Sequence, residues 1–378
     1  MISKPTVFVI LGFLFLNLFV LIIAPKFIPY AGFFPGRDFI NQFNLPYFLN
    51  NTANFDGIHY LSIAQTGYHQ YEQAFFPLYP ILINLISPIF NQNHLLSAIF
   101  ISNFCFIFAL LFLFQYLKLL KINVKSIKWF FLFLLAFPTS FYFSVVYNEG
   151  LFFLLLISSL YFWKKEKYLT ASILAAFASS TRLIGIFILI PFILDSVFVK
   201  PINLKKIILS FSPLIGLLIY SSYLFLTTGD PLFFFNAQPA FGANRSTSLI
   251  LFPQVIYRYL KIFIIANHDF KYFVSIFEFT FFIFCSLILS LQLYKLLKNW
   301  KKIDYSILGL NLFSFANLIL PTLTGTFSSL PRYSLMSISV FIYLCQIKNN
   351  LIKVSTLIIF IILHFFALAL FSQGYFIS

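Results

Sequence analysis

The chain has 378 residues, of which 61% are hydrophobic and 9% charged, with 25 Lys+Arg against 10 Asp+Glu. A soluble domain carries about 25% charged residues, so this composition excludes an ordinary cytosolic enzyme, a disordered tail and a disulfide-stapled secreted domain. The net charge of +15 does not point to nucleic acid either, because the basic residues recur as short lysine clusters between long apolar runs, as in loops held on one side of a bilayer.

The first apolar run, residues 6–24, is 19 residues long. At about 1.5 Å per residue it crosses a hydrocarbon core of about 30 Å, and it reads as a retained span, not a cleaved signal. Further runs lie near residues 95–117, 129–147, 149–163, 168–182, 183–199, 207–227, 272–294, 303–322, 332–347 and 353–371, which makes about eleven spans. Residues 74–90 are apolar but short and hold Pro77, Pro80 and Pro88, which leaves 81–87 as the longest clean helical stretch. That stretch is expected to lie along the interface. Residues 168–199 read as two short crossings that meet near Arg182. With this count, 17 of the 25 basic residues fall on one side, among them Lys118, Lys164, Lys205, Lys298 and Lys348. The bias puts the N-terminus in the cytoplasm and the C-terminus outside. The expected fold class is all-α, a polytopic transmembrane bundle formed by residues 1–378 as one integral-membrane domain. Cys105, Cys285 and Cys345 stand singly inside apolar runs and read as packing residues.

Two outer segments, 25–94 and 228–271, are too long to be simple turns, and long loops carry function. Asp38, Asp56, Glu72, Glu149, Asp230 and Asp269 fall on that face, and Glu278 lies about two turns inside a span. No DxD pair or histidine cluster suggests a divalent metal, so no metal or cofactor is expected. Asn50 and Asn244 begin N-x-S/T triplets, which matter only in a cell that glycosylates them.

The most informative stretch is Phe55-Asp56-Gly57-Ile58-His59-Tyr60, then Gly67-Tyr68, then Phe75-Phe76-Pro77-Leu78-Tyr79-Pro80. It resembles the first outer loop of the PIG-V-type mannosyltransferases, which show Trp-Asp-x-x-x-Tyr, Gly-Tyr and Phe-Phe-Pro-Leu-Tyr-Pro in that order; here Phe55 replaces the Trp. Asn148-Glu149-Gly150, Thr181-Arg182 with Gly185, Gly229-Asp230-Pro231-Leu232 with Gln238, and Ser329-Leu330-Pro331-Arg332-Tyr333 follow in family order across about 280 residues. The resemblance implies a GT-C-type glycosyltransferase with a polyprenyl-phosphate-linked sugar donor and an acidic catalytic residue in the first outer loop, the position of Asp56. The sugar is expected to be a hexose, in this family mannose, moved to a lipid or cell-envelope acceptor.

A polyprenyl phosphate is already a good leaving group, so one carboxylate acting as base on the acceptor hydroxyl suffices. A single displacement inverts the anomeric centre, without the carboxylate pair of glycosidases. The developing phosphate charge needs cations, for which Arg182, Arg245 and Arg332 are the candidates. His59, Tyr60, Tyr68, Tyr79, Glu149, Asp230, Gln238 and Tyr333 complete the expected substrate-binding set. Each has a plainer reading. Asp56 could cap the helix beginning near Gly57. Glu149 could complement a helix dipole, and Arg182 could pair with Glu149 or snorkel. Asp230-Pro231 is a common turn pair, and Arg332 could anchor at the interface. A transporter or flippase of lipid-linked sugars is the alternative from another class, disfavoured because no internal repeat is evident. The expected location is the plasma membrane of a prokaryote or the endoplasmic reticulum membrane of a eukaryote, with membrane lipids as surroundings and no nucleic-acid partner.

Overall fold

A computed structural model describes residues 4–31, 36–242, 245–298 and 300–377, which are helices joined by turns, with no strand among them. Among the described residues five helices are long and apolar enough to cross a bilayer: Val9–Phe27 within a first helix that starts at Lys4, His94–Leu119, Phe270–Lys298, Tyr305–Thr322 and Asn350–Ser372. The other six apolar runs form shorter helices, namely Val124–Ala136, Glu149–Lys164, Tyr168–Ser179, Leu189–Phe198, Pro213–Thr228 and Ile338–Cys345. The chain is a membrane protein, and much of its bundle is built from pieces shorter than a bilayer is thick.

Three runs depart from the sequence reading, each for a local reason. The run 129–147 is helical only to Ala136. Phe137 precedes Pro138 and takes the extended conformation that a following proline imposes, at φ −56° and ψ 136°. The irregular segment beyond it stays inside the protein because its polar groups find partners: Thr139 Oγ1 donates to the Pro331 carbonyl at 2.9 Å, Tyr142 donates to the Ile377 carbonyl at 2.9 Å, and Ser102 Oγ donates to the Tyr147 carbonyl at 2.9 Å. The run 332–347 is likewise broken, into Leu330–Ser334 and Ile338–Cys345. There Asn317 inserts its amide, donating to the Tyr333 carbonyl at 2.7 Å and to Ser337 Oγ at 3.1 Å. In the stretch 74–90 the helix runs Leu78–Ile86 and begins before 81, because Pro80 falls in its first turn, where no intrahelical N–H donor is lost.

His94–Leu119 packs along Glu149–Lys164, which packs in turn on Tyr168–Ser179; Leu189–Phe198 lies against Tyr305–Thr322, and the first and last helices pair. Gly150 permits the tightest of these approaches: a Cβ there would collide with the Ser102 carbonyl oxygen. Because these helices alternate in direction, Glu149, Arg182 and Thr322 gather at one end of the bundle. Lys164, Phe198 and Tyr305 meet at the other, where Lys164 Nζ donates to Ser306 Oγ at 2.8 Å and the rings of Phe198 and Tyr305 stack at 4.9 Å. The three cysteines are buried and free, in agreement with a packing role.

Candidate active site

Asp56 is the first residue of the Asp56–Thr66 helix, and the backbone is fixed on both sides of it. Phe55 holds φ 60° and ψ −117°, a conformation an L residue adopts only when its surroundings impose it, and its ring lies 5.8 Å from Phe371 and 5.2 Å from Phe376. Tyr147 donates to the Asn54 carbonyl at 3.0 Å and accepts from the Asp56 N–H at 3.1 Å, and Asn54 Nδ2 donates to the Phe371 carbonyl at 2.9 Å. The Asp56 carboxylate makes no cap; its hydrogen bond comes from Arg332 Nη1, 2.7 Å from Oδ2. The side chain remains 25% exposed. Burial pushes this carboxyl up, but the Arg332 guanidinium, with Arg245 and His59 adding to it, holds it below the usual carboxylate range.

Arg332 reaches Asp56 from the short helix Leu330–Ser334. Ser329 before it is left-handed at φ 64°, and its N–H donates to Glu278 Oε1 at 3.2 Å. The guanidinium is buried, with its carbon 5.3 Å from the ring centres of both Tyr142 and Tyr147. Its Nε lies 3.5 Å from Glu149 Oε1, which also forms an ion pair with Arg182 Nη1. Asn148 locks this pair by accepting from Arg182 at 3.1 Å and donating to the Thr181 carbonyl at 2.9 Å. Arg182 is brought there by a reversal after Tyr168–Ser179 that needs Gly185, since a Cβ at 185 would sit 2.5 Å from the Ser179 nitrogen. The result is one ionic chain, Asp56–Arg332–Glu149–Arg182, with Glu149 only 1% exposed and its Oε2 without a hydrogen bond.

Two cavities flank this chain and share Asp56, Phe241, Arg245, Ser328 and Arg332 as wall. The smaller, about 170 Å³, is also lined by Tyr60, Glu149, Arg182, Gln238 and Tyr333. The larger, about 1070 Å³, is also lined by His59, Arg258, Tyr259, Lys271 and Glu278. Arg245 Nη1 donates to Gln238 Oε1 at 2.8 Å, so the second long loop closes over the first cavity with a polar pair. His59 stacks on Phe75 at 5.0 Å and meets Glu72 at 3.0 Å. Burial raises the Glu72 carboxyl, and the bond to His59 with that from the His69 N–H outweighs it, leaving Glu72 below its ordinary value.

The structure thus brings Asp56, His59, Tyr60, Glu149, Arg182, Gln238, Arg245, Arg332 and Tyr333 to the two cavities. It does not bring three other candidates there. Tyr68 donates to the Phe75 carbonyl at 2.8 Å, and Tyr79 is fully buried behind the site against Ser102 Oγ at 2.7 Å. Asp230 makes a turn, accepting from the Leu232 N–H at 2.8 Å and Asn236 Nδ2 at 2.7 Å. Arg332 is enclosed, so it is no interfacial anchor, and Asn50 is buried; Asn244 lies outside the described residues. Sequence reasoning did not single out Asn148, Tyr142, Tyr147, Arg258 or Tyr259. Asn148 stood inside a quoted motif, whereas Tyr142 and Tyr147 were hidden in an apolar run whose one signal was Pro138.

Among the described residues no group of three or more His, Cys, Asp and Glu gathers as a metal site. The family described as mannosyltransferase (PIG-V) matches residues 27–237, more than half of the chain, a stretch that holds Asp56, Glu149, Arg182 and Asp230 and ends one residue before Gln238. No curated protein and no solved structure matches significantly.

Proposed function

Because the chain belongs to the mannosyltransferase (PIG-V) family, and so is a membrane glycosyltransferase, we propose that it moves a hexose, mannose in the first instance, from a polyprenyl-phosphate carrier to a lipid or cell-envelope acceptor. The observation that carries this reading is Asp56 bound to Arg332 on the wall shared by two cavities. The bond to Arg332 occupies Oδ2, so Oδ1 serves as the base. It takes the proton of the acceptor hydroxyl as that oxygen attacks the anomeric carbon, the carbon–oxygen bond to phosphate breaks, and the carrier leaves as its phosphate with inversion at the sugar. The Coulomb pull that keeps Asp56 ionised also keeps it a weak base, which suits a hydroxyl whose acidity rises only as the bond to carbon forms.

The smaller cavity is the donor pocket in this reading. Its volume of about 170 Å³ suits one sugar ring, and its charged lining, Arg182, Arg245 and Arg332 against Asp56 and Glu149, carries one net positive charge. Cations held by fixed carboxylates stabilise a leaving phosphate without reorganising during the reaction. Phe75, Phe76 and Phe234 on the same lining give the isoprenoid an apolar path. The lysine clusters at the far end of the bundle support a site at the extracytoplasmic face.

Purified protein incubated with radiolabelled polyprenyl-phosphate mannose and envelope lipids tests the proposal. Label transferred to acceptor by the wild type and lost in Asp56→Asn supports it. Translocation of the intact donor without transfer would overturn it in favour of a carrier.

A further inference from the structure

Glu278 is a carboxylate that the transfer step leaves unused. It stands about two turns inside the Phe270–Lys298 helix and is 4% exposed, a costly place for an acid unless its oxygens are engaged. Both are: Oε2 accepts from the Tyr259 hydroxyl at 2.7 Å and Oε1 from the Ser329 N–H at 3.2 Å. Tyr259, from the Phe252–Ile265 helix, gives its one proton to Glu278, so in its 3.2 Å contact with Thr326 Oγ1 the threonine is the donor. The Tyr259 oxygen also accepts from the Phe327 N–H at 3.0 Å, and Thr326 Oγ1 from the Ser328 N–H at 3.0 Å. Three consecutive backbone N–H groups, at 327, 328 and 329, are thereby held by one network that ends at the Glu278 carboxylate. The Phe327 ring lies 4.5 Å from Phe282 and 4.7 Å from Tyr259, so the same two helices grip the side chain as well as the backbone.

These residues lead directly into Leu330–Ser334, whose Arg332 holds Asp56 at 2.7 Å. A helix of five residues is too short to hold its own course, so the direction in which Arg332 leaves it is set by what grips the backbone around it. Thr139 and Asn317 hold the carbonyls of Pro331 and Tyr333, and Glu278 with Tyr259 holds the entry, where Ser329 is left-handed at φ 64°. We propose that Glu278 is a positioning residue for transfer: by bracing the 327–329 backbone it keeps the Arg332 guanidinium aimed at Asp56 and at the leaving phosphate. No contact between Glu278 and substrate is required. This role rests on the transfer reading above, in which Arg332 stabilises charge that develops as the carrier leaves. A misplacement of about 1 Å at such a group costs up to about 10²-fold, so a brace on a neighbouring helix is visible in the rate.

Wild type, Glu278→Ala and Glu278→Gln are compared as full-length protein in detergent, with polyprenyl-phosphate mannose and envelope lipids as substrates. Glu278→Ala is expected to lower kcat per folded molecule by about tenfold or more, with KM for the donor within about twofold, since the interaction lost is one made in the transition state. Glu278→Gln keeps the shape and one acceptor oxygen, so it accumulates even where the alanine variant does not, and it shows the same split with a smaller loss. In an Arg332→Gln background the Glu278 change should add no more than about twofold, because the group it positions is gone. Hydrogen exchange of the peptide covering 326–334 gives a readout apart from transfer, and it should speed up roughly tenfold or more in Glu278→Ala. A raised KM with unchanged kcat, or the same loss with and without Arg332, overturns the positioning role. Unchanged exchange overturns it too, as does low abundance with normal kcat per folded molecule. Faster exchange in the variant with no transfer by the wild type overturns the transfer reading and leaves the brace on Arg332 standing.

Discussion

Buried ions occur at both ends of this bundle, and they are arranged differently. At the far end Asp195 Oδ2 receives Lys206 Nζ at 2.8 Å and Trp163 Nε1 at 2.9 Å, while Lys206 also donates to the Asp195 carbonyl at 3.0 Å. One anion meets one cation, a third group closes the geometry, and neither described cavity adjoins it. At the site end four ions alternate along the edge of two cavities, and Glu149 Oε2 and Arg332 Nε are left without hydrogen bonds. A buried pair that only holds helices together gains most when fully satisfied, because each orphaned polar atom costs about 1–3 kcal/mol. The site end therefore keeps unsatisfied polar atoms beside its cavities, whereas the ion pair at the far end is satisfied.

The sharpest way to break this contrast is Asp56→Asn. We expect transfer to fall by about 10³–10⁴-fold with unchanged membrane abundance, since the amide keeps the shape and loses the base. Near-normal turnover would reduce Asp56 to a counter-ion. Next in size is Arg332→Gln, expected to cost about 10²–10³-fold through lost stabilisation of the leaving phosphate. Glu149→Gln is a different experiment, because it leaves Arg182 and Arg332 buried without their shared anion. Folded protein should drop sharply, as removal of one partner of a buried pair costs about 3–5 kcal/mol. The double change Glu149→Gln with Arg182→Gln should restore abundance while transfer stays low; recovery of both would make the pair structural, like the one at the far end.

A pH profile sharpens the comparison further. Asp56 is held below its ordinary value of 3.8, so the base form survives acidification, and kcat/KM should be flat from neutral pH to about pH 5, declining only below the usual carboxylate range. The same sign applies to stability: the contribution of the Asp56–Arg332 pair is present above the unfolded pKa and is lost as pH falls through the lower folded one. In Arg332→Gln the acid limb of the residual activity should move up, because the main opposing charge is gone. A limb that stays where it was would show that another group sets it.

Much of this was legible in the sequence, and the failures share a physical cause. Composition and run length announce a helical membrane bundle because hydrocarbon demands internally satisfied backbone. The order of the short motifs announced the residues that meet at the small cavity, since each motif carries its own positioning device: Gly150 for Glu149, Gly185 for Arg182, Pro331 for Arg332. Hydrophobicity could not reveal that 129–147 and 332–347 are broken. Tyr142 and Tyr147 look like filler in an apolar run and reach the site only because Pro138 stops the helix and distant carbonyls accept hydrogen bonds from their hydroxyls. Arg258 was illegible for another reason: its place on the larger cavity depends on a glycine 67 residues away.

The smallest expected effect on transfer is the most direct check on the comparison itself. Asp195→Asn leaves Lys206 facing an uncharged partner in a buried setting, so the thermal midpoint should fall by several degrees, while transfer per folded molecule should stay within about twofold. Replacing both ions with apolar residues of similar volume, Asp195→Leu with Lys206→Met, should recover part of that midpoint, because a satisfied ion pair stabilises little more than well-packed carbon while the buried Trp163 N–H loses its acceptor. Equivalent apolar replacement of Glu149 and Arg182 could recover stability in the same way and still leave an inactive protein. The two ends would then differ not in how their charges hold the helices together but in whether a substrate needs those charges, and a far-end double variant with impaired transfer would erase that difference.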